Sequence, residues 1–137
     1  MKRVSCLAVA ASCFLVLHLS QGCEYGSGKA RIGREAPNFE YLDLDGKTRT
    51  LGDSKGKVVM LRFWADWCPP CAAEFPLIEK AYQEMRGQGL EVIAVNVRQP
   101  EARVREYITK FALSHTIALD RDGRISAQYE VKGLPMS

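Results

Sequence analysis

Val58-Val59-Met60-Leu61-Arg62-Phe63-Trp64-Ala65-Asp66-Trp67-Cys68-Pro69-Pro70-Cys71 is the stretch from which the rest of the chain can be read. Its first seven residues are apolar except for Arg62, the pattern of a strand covered on both faces. The period then changes. Cys71, Phe75, Ile78, Tyr82 and Met85 recur at helical spacing and make one apolar stripe. Pro69 suits the first helical position, where a missing N–H costs no hydrogen bond, and Gly87 and Gly89 end the run. The stretch therefore predicts a buried strand over 58–64 and a helix over 69–86, with Cys68 at the helix N-cap.

Working outward, residues 39–42 and 48–51 are short strand candidates, and Asp45-Gly46 between them is a hairpin turn. Residues 90–97 form a second buried strand. Residues 100–111 form a second helix with Val104, Tyr107, Ile108 and Phe111 on one face. Asp120-Arg121-Asp122-Gly123 is a turn, and 125–129 a short helix. Strand, helix, strand, helix in this order predicts a parallel sheet with helical crossovers. No internal repeat or low-complexity tract interrupts it.

The 137 residues, 47% hydrophobic and 26% charged, leave room for one domain and exclude a disordered or multi-span membrane chain. Residues 1–22 read as a signal peptide: Lys2 and Arg3, then an apolar run over 7–17 broken only by Ser12, and no further charge before Cys23. Leu19-Ser20-Gln21-Gly22-Cys23 looks like a lipoprotein signal with Cys23 as the lipid anchor, although Ser20 stands where a large apolar residue is usual. Simple cleavage and an uncleaved anchor are the alternatives. Residues 23–35, with Gly26, Ser27 and Gly28, read as a flexible tether, and 36–137 as the domain. All three outcomes place the body outside the cytoplasm, on the periplasmic or extracytoplasmic side of the cell envelope, where disulfides persist, and lipidation would anchor it to a membrane. Without the leader, 17 basic residues face 16 acidic ones, so charge gives no reason to expect nucleic acid.

Only Cys68 and Cys71 lie in the body. At the N-cap, free N–H groups and the helix dipole point at the Cys68 sulfur and favour thiolate over thiol. A pKa lowered from about 8.5 to about 7 raises the thiolate fraction at neutral pH from roughly 3% to roughly 50%. It also makes Cys68 a better leaving group. Cys71 begins the buried stripe while Cys68 sits at the exposed tip, so Cys68 is the attacking thiol and Cys71 the resolving one. Glu74, one turn past Cys71, could exchange a proton with it. A purely structural bridge is a poor alternative, because closing so short a loop stabilises by only about 2 kcal/mol. A metal site is another: the body offers only His115 as a further soft ligand, and that residue reads as surface or loop. No metal and no cofactor are expected.

The run from Phe63 to Cys71, followed by Ala72-Ala73-Glu74-Phe75-Pro76, resembles the thioredoxin superfamily, and within it the membrane-tethered TlpA/ResA-type thiol–disulfide oxidoreductases. The resemblance implies an α/β thioredoxin-like three-layer sandwich with an N-terminal hairpin. It implies that Cys68 attacks, Cys71 resolves and Glu74 tunes protons, and it matches Pro76 to a helix-kinking proline. Gly133-Leu134-Pro135 is similar to the family's cis-proline segment, so Trp67, Leu134 and Pro135 are expected to line the substrate groove. Arg62 departs from the acid or amide usual there; its guanidinium either points inward, favouring thiolates, or snorkels outward. The family continues past Pro135 with an antiparallel strand pair and a final helix, so this chain is expected to be C-terminally truncated, with 58–64 as a sheet edge.

These readings predict a protein-disulfide reductase of the cell envelope. Its partners would be a disulfide-containing protein, with apocytochrome c one substrate implied by the resemblance, and a membrane electron donor. A thiol oxidase using the same site is one rival. A peroxiredoxin-like peroxidase is a second, disfavoured by Ala65 where a threonine or serine is required. An inactive, truncated, lipid-anchored binding protein is the third.

Overall fold

The computed structural model describes residues 28–137. The leader and the Cys23 lipidation site lie outside them. The elements are β1 (Glu40–Asp43), β2 (Thr48–Thr50), a 3-10 turn (Leu51–Ser54), β3 (Val58–Trp64), α1 (Pro69–Met85), a second 3-10 turn (Arg86–Gln88), β4 (Leu90–Val97), α2 (Glu101–Phe111), β5 (Thr116–Asp120) and α3 (Arg124–Gln128). The strands form one sheet in the order β2-β1-β5-β4-β3.

The predicted βαβ unit is present: β3 and β4 pair in parallel from Val58 opposite Leu90 to Trp64 opposite Asn96, joined through α1. The sheet is mixed, however. β5 continues the parallel set beside β4, and β1 pairs antiparallel with both β5 and β2. The β1–β2 hairpin turns at Gly46, whose φ of 76° suits glycine. Asp43 holds that turn by accepting hydrogen bonds from the N–H groups of Asp45 and Lys47.

Strand β5 was not foreseen. Thr116-Ile117-Ala118-Leu119-Asp120 is short and neither alternates nor runs long, yet four of its five residues are buried. Its place is set by β1 and β4 on either side, which local pattern cannot supply.

Two apolar layers sandwich the sheet. On one face Trp64, Ala94, Ile117 and Leu119 meet Cys71 and Phe75 of α1 and Val104 and Tyr107 of α2. On the other, Phe39, Phe63, Val95 and Ala118 meet Ile125 of α3, with Tyr129, Leu134 and Met136 beside them. Trp64 lies against both Phe75 and Tyr107, with ring centroids 5.0 and 4.8 Å apart, so the strand that delivers the cysteines is locked to both helices.

Among the described residues β3 is an edge strand. Its first residues are more open than a doubly covered strand predicts, Val58 being 72% exposed. On its free side Phe63 and Met136 form an antiparallel bridge, with the Phe63 N–H donating to the Met136 carbonyl at 2.8 Å. Lys29 pairs with Glu130 at 2.6 Å. No described helix is long and apolar enough to cross a membrane.

Candidate active site

Cys68 is the N-cap of α1 in extended backbone geometry, and Pro69 and Pro70 occupy the first helical turn. Its sulfur accepts a hydrogen bond from the Cys71 N–H at 3.3 Å, one of the donors a helix start leaves unsatisfied. Cys68 and Cys71 are joined by a disulfide, with Cα atoms 5.3 Å apart.

The expectation of an exposed Cys68 is corrected: both cysteines are buried, at 2% and 1% exposure. Leu134, far along the chain, packs against the cluster that contains them, and the Leu134–Pro135 peptide bond is cis. Trp67 is the exposed neighbour, at 68%. The α1 stripe buries Cys71, Phe75 and Ile78 and then opens, leaving Met85 exposed. Helix α1 continues through Pro76.

Arg62 points inward. It is buried, its Nη2 pairs with the Glu74 carboxylate, and its Nη1 donates to Ser137 Oγ at 2.9 Å. The alternation of β3 puts Arg62 on the same face as Trp64, under α1, and that signal was present in the sequence. The predicted proton-tuning residue therefore carries a buried counter-ion.

Sequence reasoning gave no role to Asp66, two residues before Cys68. Its N–H donates to Gln99 Oε1 at 2.8 Å, and its carboxylate accepts from the Gln99 amide and from Arg103, whose Nε lies at 2.9 Å and Nη2 at 2.6 Å. Asn96 donates to Gln99 Oε1 at 2.8 Å. Burial opposes the Asp66 charge, but the Gln99 and Arg103 bonds outweigh it and hold the carboxyl below its ordinary range. This cluster fastens the loop carrying Trp67 and Cys68 to the start of α2.

His115 is also corrected, from surface to core. It is 4% exposed, stacked on Phe75 at 5.9 Å, with Nδ1 2.8 Å from Glu79 Oε2. Burial pushes its pKa down, against the pull of Glu79. Burial likewise opposes charge on Glu79, yet bonds from Gln83, the Ser114 side chain and N–H, and His115 bring it down to about 2. This network ties α1 to β5.

A cysteine pair at the start of the helix that follows a buried strand, with the residue before a cis-proline packed against its cluster, defines a thioredoxin-like thiol–disulfide oxidoreductase. The chain belongs to the AhpC/TSA family, whose model matches residues 32–136. It is 39% identical to the thiol-disulfide oxidoreductase ResA of Bacillus cereus over 119 residues, covering 87% of this chain and 69% of that one. It is equally 39% identical to ResA of Bacillus subtilis, over 80% of this chain and 62% of the relative. The thioredoxin domain of a thiol-disulfide oxidoreductase from Bacteroides vulgatus superposes with a TM-score of 0.71 at 26% identity, covering 78% of this chain and 79% of that one. A secreted disulfide oxidoreductase of Mycobacterium tuberculosis, described as homologous to DsbE, gives 0.66 at 28% identity, covering 71% of each.

Proposed function

We propose that the chain reduces protein disulfides on the outer side of the cytoplasmic membrane. The Cys68 thiolate attacks a substrate disulfide and forms a mixed disulfide, releasing one substrate thiolate. The Cys71 thiolate then attacks Cys68 Sγ, releases the second, and leaves the Cys68–Cys71 disulfide. The two electrons gained by the substrate are those lost by the pair. Glu74 takes the Cys71 proton, and Trp67, Leu134 and Pro135 hold the substrate strand. A membrane electron donor restores the dithiol, and an apocytochrome c is one substrate consistent with the family resemblance. The leader pattern and the secreted relative support the compartment, and Cys23 is the proposed lipid attachment point.

One observation carries the reading: Cys68 caps α1 with its sulfur on a backbone N–H, while Cys71 lies behind it on the buried stripe. Ala65, three residues before Cys68, gives a peroxidase no hydroxyl to use. The test is reduction of insulin. Cys68→Ser is expected to abolish turnover and Cys71→Ser to accumulate a mixed disulfide; turnover by Cys68→Ser at the parent rate overturns the roles. A couple near about −270 mV supports the reductase, whereas one near about −120 mV reverses the direction to oxidase.

A further inference from the structure

Beside the disulfide runs a groove bounded by Trp67 on one side and by Gly133 and Leu134 on the other, with Ser126 and Ala127 of α3 in its lining. Its only charged lining residues are Arg98 and Lys132, both cationic and both exposed. Glu130, within electrostatic reach of Lys132, is paired with Lys29, and two further acids are turned to other work. Asp66 is held by Gln99 and Arg103, and the Asp120 carboxylate accepts from the N–H groups of Ile125 and Ser126.

Arg98 is built into the groove wall. Its backbone is left-handed, at φ 55°, and its N–H donates to the Asp120 carbonyl at 2.9 Å. Its guanidinium lies against Gly123, where an added Cβ would collide with Nε and come within 2.7 Å of Cζ. Gly123 is itself left-handed, at φ 77°, so glycine serves there both for its backbone and for the room it leaves. Among the described residues Arg98 makes no ion pair. Two uncommon backbone conformations thus hold an uncommitted fork of donors beside the exposed Trp67 indole.

We infer that the groove selects polypeptides that carry an acidic side chain next to the disulfide cysteine. Arg98, with Lys132 in the same lining, engages the carboxylate, while Trp67 covers the adjoining backbone. This rests on the exchange reaction proposed above and names the substrate class it favours. Both cations face solvent, so the discrimination is modest and salt-sensitive, about threefold to tenfold in kcat/KM at low ionic strength.

Short peptides with a single cysteine disulfide-linked to 2-mercaptoethanol, differing only in a neighbouring Glu, Gln or Lys, test this. The expected order is Glu, then Gln, then Lys, with the Glu preference fading at high salt. Arg98→Asn removes the charge with a residue that tolerates the left-handed backbone, and Gly123→Ala keeps the charge but displaces the guanidinium. Both are expected to bring the Glu/Gln ratio close to one. Equal reduction of all three peptides, or a ratio that survives in Arg98→Asn, overturns the selectivity alone. Failure of the parent chain to reduce even 2-hydroxyethyl disulfide overturns the exchange reaction and the selectivity with it.

Discussion

The guanidinium of Arg62, buried beneath α1, pairs with the half-exposed carboxylate of Glu74, one turn beyond Cys71. A cation there neutralises the carboxylate and fixes where it points. Glu74→Gln should therefore do two things. It replaces the charged acceptor of a buried guanidinium by a neutral amide oxygen, which costs about 1–2 kcal/mol, less than for a fully buried pair because Glu74 meets water. It also removes a proton acceptor, which should lower kcat about tenfold or more. Thermal denaturation and steady-state reduction separate the effects; unchanged kcat would mean that Glu74 moves no proton.

Asp66 makes a second, independent demand. It fastens the loop of Trp67 and Cys68 to Gln99 and Arg103. Asp66→Ala strands those donors and should cost about 1–3 kcal/mol. Because the loop also orients the attacking sulfur, kcat/KM should fall several-fold, with Asp66→Asn recovering part of both. A loss of stability with no change in kcat/KM would restrict Asp66 to a structural part.

The central βαβ unit was legible because β3, α1, β4 and α2 each carry a long, single-period apolar pattern, and the cysteine pair sits where one period gives way to another. Two kinds of feature were hidden. One depends on partners remote in sequence: β5 is fixed by β1 and β4, and Leu134 packs against the cluster in which Cys68 is buried. The other depends on side-chain direction. Arg62 and Trp64 share a face by simple alternation, yet an arginine in an apolar strand can equally snorkel outward, and only the Glu74 pairing decides. His115 misled because a lone histidine has no periodic context. Phe75, Tyr82 and Glu79, all on α1, supply its surroundings.

That histidine predicts acid sensitivity. Folding lowers the proton affinity of both His115 and Glu79, so the unfolded chain binds more protons and acid favours it. The His115 share is present above about pH 6.5 and is lost as pH falls below it. The Glu79 share is complete above its unfolded value of 4.5 and is lost towards about 2, up to about 3 kcal/mol in all. Urea unfolding at a series of pH values should show stability falling in these two windows. His115→Phe, which keeps a ring between Phe75 and Tyr82, should flatten the upper window and, by removing one of the bonds that lower Glu79, shrink the lower one. A stability that does not fall as pH drops below about 6.5 would contradict the assignment.

The reactivity of Cys68 comes from its position as the cap of α1. In the dithiol state, the donor that its sulfur now takes from Cys71 would stabilise negative charge on it, and the dipole of a 17-residue helix adds to this. Cys71, inside the first turn, does not cap the helix. Absorbance at 240 nm during pH titration of the reduced chain should show Cys68 ionising below the free-cysteine value of about 8.5, and Cys71→Ser should retain that step. Moving the helix start tests the cause. Replacing Pro69 with glycine loosens the first turn and should raise the Cys68 value towards that of a free thiol, with a matching slowing of alkylation by iodoacetamide near neutral pH. If Cys68 titrates like an unstructured cysteine in both chains, the cap does not activate it and the proposed attack has no structural basis.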